Sequence, residues 1–206
     1  MNIIREFVKN HAHPKGFLGW LAALHMAREN REANRWTIAL LDIQPTHRVL
    51  EAGFGPGLAI QAIAKIVTAG QVAGVDSSET MVALARRRNA AAIATGRVDL
   101  RHGDISTLLH ADDSFDKILA INVIYFLPDP IASLRELWRV TKPGGRIALF
   151  WVAKQVIMSR PFVDGIYTLY TPEQVAQLLR QAGFARSRVE SRAFKWGAGL
   201  CALAEK

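Results

Sequence analysis

Glu51, Gly53, Gly55 and Gly57 fall within nine residues, VLEAGFGPG (49–57). An apolar run, a carboxylate and three alternating glycines form the pattern of a strand that ends in a tight turn, with backbone able to approach a ligand closely. Several nucleotide-like ligands use such turns, and the residues around the glycines discriminate among them. The dinucleotide fingerprint wants a small residue where Leu58 stands, and no Gly-Lys-Ser/Thr follows to complete a phosphate-binding loop. Pro56 removes a backbone N–H that a pyrophosphate cradle would use. Glu51 would repel a pyrophosphate and attract an ammonium group. S-adenosylmethionine offers an ammonium, a sulfonium and no phosphate.

Three more polar residues follow apolar runs. Asp76 ends the run QVAGVD, where a carboxylate can accept both hydroxyls of a ribose. Dinucleotide folds use an acid there too, and Asp76 also fits a helix N-terminal acid beside Ser77 and Ser78. Asp104, in HGDI, is placed to accept from an adenine amino group, although Gly-Asp also makes an ordinary turn. Asn122 ends the run DKILAIN and completes a row of polar groups at strand carboxyl ends, the edge where open parallel sheets bind ligands.

The elements that must carry this row are legible as alternating strand and helix patterns from residue 46 onward. Apolar runs at 48–52, 71–76, 98–102, 116–122 and 145–151 read as buried strands, with helices at about 57–68, 79–94 and 130–141 between them. The alternation predicts right-handed βαβ crossovers and an α/β, doubly wound, Rossmann-like sheet. TPEQVAQLLRQAGF (171–184) carries Thr171, Pro172 and Gly183 at the cap, first-turn and stop positions of a helix. SRVESRAFKW and GAGLCALAEK then read as a closing antiparallel hairpin. Residues 1–45 form a separate helical cap, and 46–206 the ligand-binding domain. In the cap, Phe17, Trp20, Leu21 and Leu24 share one helical face, followed by the mixed-charge stretch ARENREANRW.

Composition narrows the function classes. A chain of 206 residues, half hydrophobic, suits one full-sized core and no second large domain. No run approaches the roughly 20 apolar residues of a membrane span. The start of the chain lacks the pattern of a secretory signal, and the single Cys201 rules out an internal disulfide or a cysteine metal cluster. These features lead us to expect a cytoplasmic protein. The net charge of +8 invites a nucleic-acid reading, but the charges are scattered and only Arg86-Arg87-Arg88 forms a run. A solvated surface is the better reading.

Assembled in order, these segments resemble the class I S-adenosylmethionine-dependent methyltransferases. The resemblance covers about residues 46–152 closely and the C-terminal helix and hairpin more loosely. VLEAGFGPG resembles the family's glycine motif with its leading acid, GVDSSETMVALAR its ribose-acid segment, and GDI its adenine-contacting segment. FDKILAINVIYFLPDP and LRELWRVTKPGGRIALF resemble the fourth-strand and Lys-Pro-Gly-Gly segments. Among subfamilies it is most similar to the ubiquinone and menaquinone pathway methyltransferases. The resemblance implies a seven-stranded sheet of order 3-2-1-4-5-7-6 with strand 7 antiparallel, and an N-terminal helical lid. It implies S-adenosyl-L-methionine as cofactor, leaving S-adenosyl-L-homocysteine. The implied cofactor-binding residues are Glu51, Gly53, Phe54, Gly55, Gly57, Asp76, Ser77, Met81, Asp104, Ile105 and Asn122, with no metal.

The activity so implied is in-line methyl transfer to a small-molecule acceptor. A general base is needed only for an acceptor that must first lose a proton. Many relatives carry a histidine before the segment matching FLPDP, where this chain has Tyr125 and Phe126. Tyr125 is the candidate catalytic residue, against the alternative of a packed aromatic. His11, His13 and His25 in the cap, and Tyr167 and Tyr170 before the last helix, are lesser candidates. Three alternatives stay open: a membrane-surface enzyme using the N-terminal apolar face on a phospholipid or quinone precursor, an NAD-dependent oxidoreductase, and a cofactor-binding protein without catalysis.

Overall fold

The computed structural model describes residues 30–159 and 167–206. The segments with Val-, Ile- and Leu-rich cores become seven strands: β1 (Arg48–Ala52), β2 (Gln71–Asp76), β3 (Val98–His102), β4 (Phe115–Ile121), β5 (Thr141–Val152), β6 (Arg186–Phe194) and β7 (Gly197–Glu205). They form one sheet in the order β3-β2-β1-β4-β5-β7-β6. Strands β1 to β5 pair in parallel, and β7 runs antiparallel to both β5 and β6. This is the architecture and order that the sequence led us to expect. Chain order reverses between β1 and β4, so the crevice for a ligand opens beyond their carboxyl ends.

Helical backbone covers 30–40 (α1), Leu58–Ile66 (α2), Glu79–Arg88 (α3), Ala90–Ala94 (α4), Pro130–Val140 (α5), Lys154–Met158 (α6) and Pro172–Ala182 (α7). Side chains set their ends. Ser78 caps α3, Asp129 caps α5 ahead of Pro130, and Thr171 with Gln174 forms a reciprocal capping box on α7, which Gly183 stops. The single helix expected over 79–94 is instead two. Asn89, nearly fully buried, leaves helical geometry at φ −104° and ψ 16° to turn its amide onto neighbouring carbonyls. The fifth strand begins earlier than its apolar run, because Thr141 pairs with Phe115 before Lys142–Gly145 loops out and pairing resumes at Arg146 with Lys117.

The described part of the N-terminal segment joins the same core. Ala33 and Thr37 on α1 and Leu41 just after it are fully buried, and the Trp36 ring meets Phe150 of β5 and Phe194 of β6 edge-on. The apolar face of Phe17, Trp20, Leu21 and Leu24 lies outside the described residues. Among the described residues no helix is long and apolar enough to cross a membrane.

Candidate functional site

Backbone strain concentrates where β1 ends. Gly53, Gly55 and Gly57 all have positive φ, at 72°, 51° and 74°. The region is costly for any residue with a Cβ, so the alternating glycines are what allows the chain to wind through it. The turn is tied down on both sides. Gly53 N–H donates to Val75 O at 2.8 Å, and Gly55 N–H donates to Asp76 Oδ2 at 2.7 Å. Gly57 is the left-handed N-cap of α2, and Asn89 donates to its carbonyl oxygen.

The turn forms one wall of a cavity of about 290 Å³. Glu51, Gly53, Phe54 and Gly55 contribute from β1 and its turn, Asp76, Ser77 and Met81 from β2 and the start of α3, and Asp104 and Ile105 from beyond β3. Asn122, which follows β4, completes the row of strand ends. Of the sequence-predicted binding residues, Gly57 alone is absent from this lining, because it faces Ala85 and Asn89 beneath the turn.

Electrostatics single out Glu51. It is 3% exposed, and its Oε2 has no hydrogen-bond partner among the described residues. Burial, and secondarily the Asp76 carboxylate, pushes its pKa well above the ordinary glutamate value, opposed by the Ile60 N–H. A buried, under-partnered carboxyl is costly unless a donor or cation completes it, which is the role an ammonium ligand would play. Asp76 is also held above its ordinary pKa, by burial, although the N–H groups of Ser78 and Gly55 pull it back. Each Asp76 oxygen keeps lone-pair capacity beyond its one backbone bond, which suits two further hydroxyl donors. Asp104 is exposed, and its Oδ1 accepts from the Ser106 N–H at 2.7 Å and hydroxyl at 2.8 Å, fixing the carboxylate at the cavity rim. This set of acceptors fits a ligand that donates from an ammonium and a diol.

Tyr125 does not line the cavity. Its ring is buried and its hydroxyl accepts the Val152 N–H, with Asn122 Oδ1 and Val152 O each 3.4 Å away as acceptors. Tyr167 packs edge-on against it, 5.5 Å between ring centroids. The hydroxyl is thus committed to holding the chain after β4 against the end of β5. His11, His13 and His25 lie outside the described residues. Among the described residues no cluster of His, Cys, Asp or Glu could hold a metal ion.

Sequence reading missed Asn30 and Asn34. Both line the cavity from α1, and Asn122 Nδ2 donates to Asn30 Oδ1 at 3.1 Å. Their four-residue spacing puts them on one helix face, a signal masked by the charged residues around them. Asn122 itself has φ 57°, a left-handed conformation in which asparagine is the best tolerated residue after glycine. Val123, Phe126, Leu127 and Pro128 add an apolar wall beyond it.

The methyltransferase domain family matches residues 50–149, the span from β1 into β5. An uncharacterised methyltransferase of Bacillus subtilis, YdaC, is 30% identical over 193 residues, covering 90% of this chain and 98% of that protein. This chain belongs to the methyltransferase domain family. It is a class I S-adenosylmethionine-dependent methyltransferase with S-adenosylmethionine as cofactor. The ubiquinone/menaquinone biosynthesis C-methyltransferase of Geotalea daltonii is 31% identical over 121 residues, covering 58% of this chain and 52% of the relative. The methyltransferase thus spans nearly all of YdaC but about half the length of several other curated relatives it matches. A crystal structure of a SAM-dependent methyltransferase from Aquifex aeolicus has the same fold, with a TM-score of 0.68 at 22% identity, covering 82% of this chain and 88% of that one.

Proposed function

We propose that this methyltransferase transfers a methyl group from S-adenosylmethionine to a small-molecule acceptor. The buried Glu51 carboxyl, with Oε2 unpartnered in the cavity wall, carries this reading to the level of residues. In it Glu51 receives the amino-acid ammonium, and Gly53, Phe54 and Gly55 let that arm lie close to the backbone. Asp76, with Ser77 beside it, takes the ribose hydroxyls, while Met81, Ile105 and Asp104 hold the adenine. Gly57 acts from beneath, by setting the turn.

When bound, S-adenosylmethionine supplies a sulfonium-activated methyl group to an acceptor nucleophile by in-line displacement. The chain's own contribution is to bring the two reactants together and exclude water, which can supply a large part of such a rate enhancement. The described lining beyond β4 has no titratable side chain, so proton removal there is no task of the described residues. The N-terminal segment 1–45 acts in this proposal as a cap over domain 46–206, supported by Asn30 and Asn34 in the cavity wall. Kinship with a quinone-pathway enzyme and the apolar wall at Phe126, Leu127 and Pro128 support an apolar or aromatic acceptor.

Calorimetric titration with S-adenosylhomocysteine and, separately, NADH tests the cofactor assignment. Binding of the first and indifference to the second is expected, and the reverse would overturn it. Incubation with methyl-labelled cofactor and a fractionated metabolite extract, followed by mass analysis, then identifies the acceptor.

A further inference from the structure

Within HGDI (102–105), Asp104 and Ile105 line the cavity, whereas His102 is exposed and does not. His102 stands at the end of β3, in register with Asp76 at the end of β2. From there β3 holds two successive carbonyl groups of the β2 end. The Gly103 N–H donates to Asp76 O at 3.1 Å, and His102 Nε2 lies 3.0 Å from Ser77 O. A carbonyl oxygen can only accept, so Nε2 carries the proton and donates.

The Ser77 carbonyl belongs to the same peptide group as the Ser78 N–H, which donates to Asp76 Oδ1 at 2.9 Å. That group is planar and trans, so its C=O and N–H point in opposite directions as one rigid unit. A hydrogen bond at Ser77 O therefore sets the direction in which the Ser78 N–H points. It also polarises the peptide, which makes the N–H a stronger donor to the carboxylate. Asp76 needs that support, because burial opposes its charge and the Ser78 and Gly55 N–H groups favour it. The Gly55 N–H holds Oδ2 at 2.7 Å, and the peptide backed by His102 holds Oδ1.

We infer that His102 is a positioning residue for cofactor binding, orienting the Asp76 carboxylate through the Ser77–Ser78 peptide. This inference rests on the assignment of the ribose hydroxyls to Asp76 proposed above. With one backbone donor fixed on each oxygen, the remaining lone pairs of Asp76 keep one direction. A rotated peptide would release Oδ1 and let the carboxylate turn. A diol that must meet both oxygens at once loses most from that turn. The ammonium contact at Glu51 lies on β1 and does not depend on it. Loss of the His102 donor therefore weakens recognition of the ribose in particular.

Calorimetry on the full chain compares S-adenosylhomocysteine with its 2′-deoxy analogue, which lacks one of the hydroxyls assigned to Asp76. The unaltered protein should prefer the first at least about tenfold, as befits a hydrogen bond to a charged group. His102→Leu should shrink that preference at least about threefold. His102→Gln, whose Nε2 can donate to the same carbonyl, should restore it. Each preference is a ratio within one variant, so a general loss of stability leaves it unmoved. In ligand-free protein, the Ser78 amide proton resonance should move upfield in His102→Leu and return in His102→Gln. An unchanged preference in His102→Leu, a loss that His102→Gln fails to restore, or an unmoved Ser78 resonance overturns the inference. Lack of preference in the unaltered protein overturns the ribose role of Asp76 and this inference with it. Failure of S-adenosylhomocysteine to bind at all overturns the cofactor reading, and the Ser78 resonance then decides whether His102 orients Asp76.

Discussion

Asn89 Nδ2 donates to the Gly57 carbonyl oxygen at 3.2 Å and to the Ala85 carbonyl oxygen at 2.9 Å. One buried amide therefore joins the end of α3 to the start of α2, directly beneath the glycine turn. Arg88, its neighbour, donates to Pro56 O, so two consecutive residues grip two consecutive carbonyls of that turn. Asn89→Ala should cost about 1–3 kcal/mol of stability, the penalty for stranding buried polar groups. Asn89→Asp should cost more, because a carboxylate cannot donate to either carbonyl. Urea denaturation measures both, and S-adenosylhomocysteine affinity should fall severalfold in each as the turn loosens.

Gly57 and Gly55 make opposite predictions despite similar backbone angles. A Cβ at Gly57 would lie 2.7 Å from Ala85 Cβ and 2.9 Å from Asn89 Nδ2, whereas one at Gly55 meets nothing within 4 Å. Gly57→Ala combines left-handed strain with overpacking and should cost roughly 2–4 kcal/mol. Gly55→Ala carries the strain alone, about 1–2 kcal/mol. Denaturation midpoints of the two variants, compared side by side, check the difference.

The raised pKa of Glu51 makes stability depend on pH in a defined direction. The folded protein retains a proton on Glu51 that the unfolded chain releases near its ordinary value of 4.5. This contribution is complete below that pH and is lost as pH rises through the elevated folded-state value. Glu51→Gln should remove that loss, so ligand-free protein melts higher than the parent at neutral pH. The same variant should bind S-adenosylhomocysteine at least about tenfold more weakly, since a hydrogen bond to a charged group is worth about 1.5–3 kcal/mol. Melting curves across a pH series and calorimetry test both halves.

Tyr125→Phe separates a structural from a catalytic hydroxyl. Removing it strands the Val152 N–H and should cost about 1–3 kcal/mol of stability. Affinity for S-adenosylhomocysteine should change by less than about twofold, and the pH profile of methyl transfer to any identified acceptor should keep its shape. An unchanged melting temperature with lost turnover would instead restore Tyr125 to a catalytic role.

Most of the cavity's polar lining was legible in the sequence for a local reason. Glu51, Asp76, Asp104 and Asn122 each stand at or just beyond the end of an apolar run, and in a parallel sheet those ends converge on one edge. The glycine spacing carries its own backbone requirement. Local pattern reached less far where packing outweighs it. The helix expected over 79–94 breaks at Asn89 because its buried amide serves the glycine turn, a partner 32 residues away. Tyr125, the catalytic candidate that follows a strand end, sits on the one-turn 3-10 helix at Ile124–Phe126, which buries its ring and brings its hydroxyl to the Val152 N–H, a contact no local pattern announces.

The sequence by itself determined the alternation of strands and helices, the strained glycine turn and a carboxylate chemistry suited to a cationic amino-acid cofactor, since all three follow from residue types at short spacing. Only the tertiary structure decided which residues join those carboxylates around the cavity. Asn30 and Asn122 are 92 residues apart, and their hydrogen bond exists because Ala33, Trp36, Thr37 and Leu41 seat α1 on the sheet and so turn its asparagines toward the end of β4. Which helix face meets which strand is set by packing across the whole core, and no local periodicity encodes it.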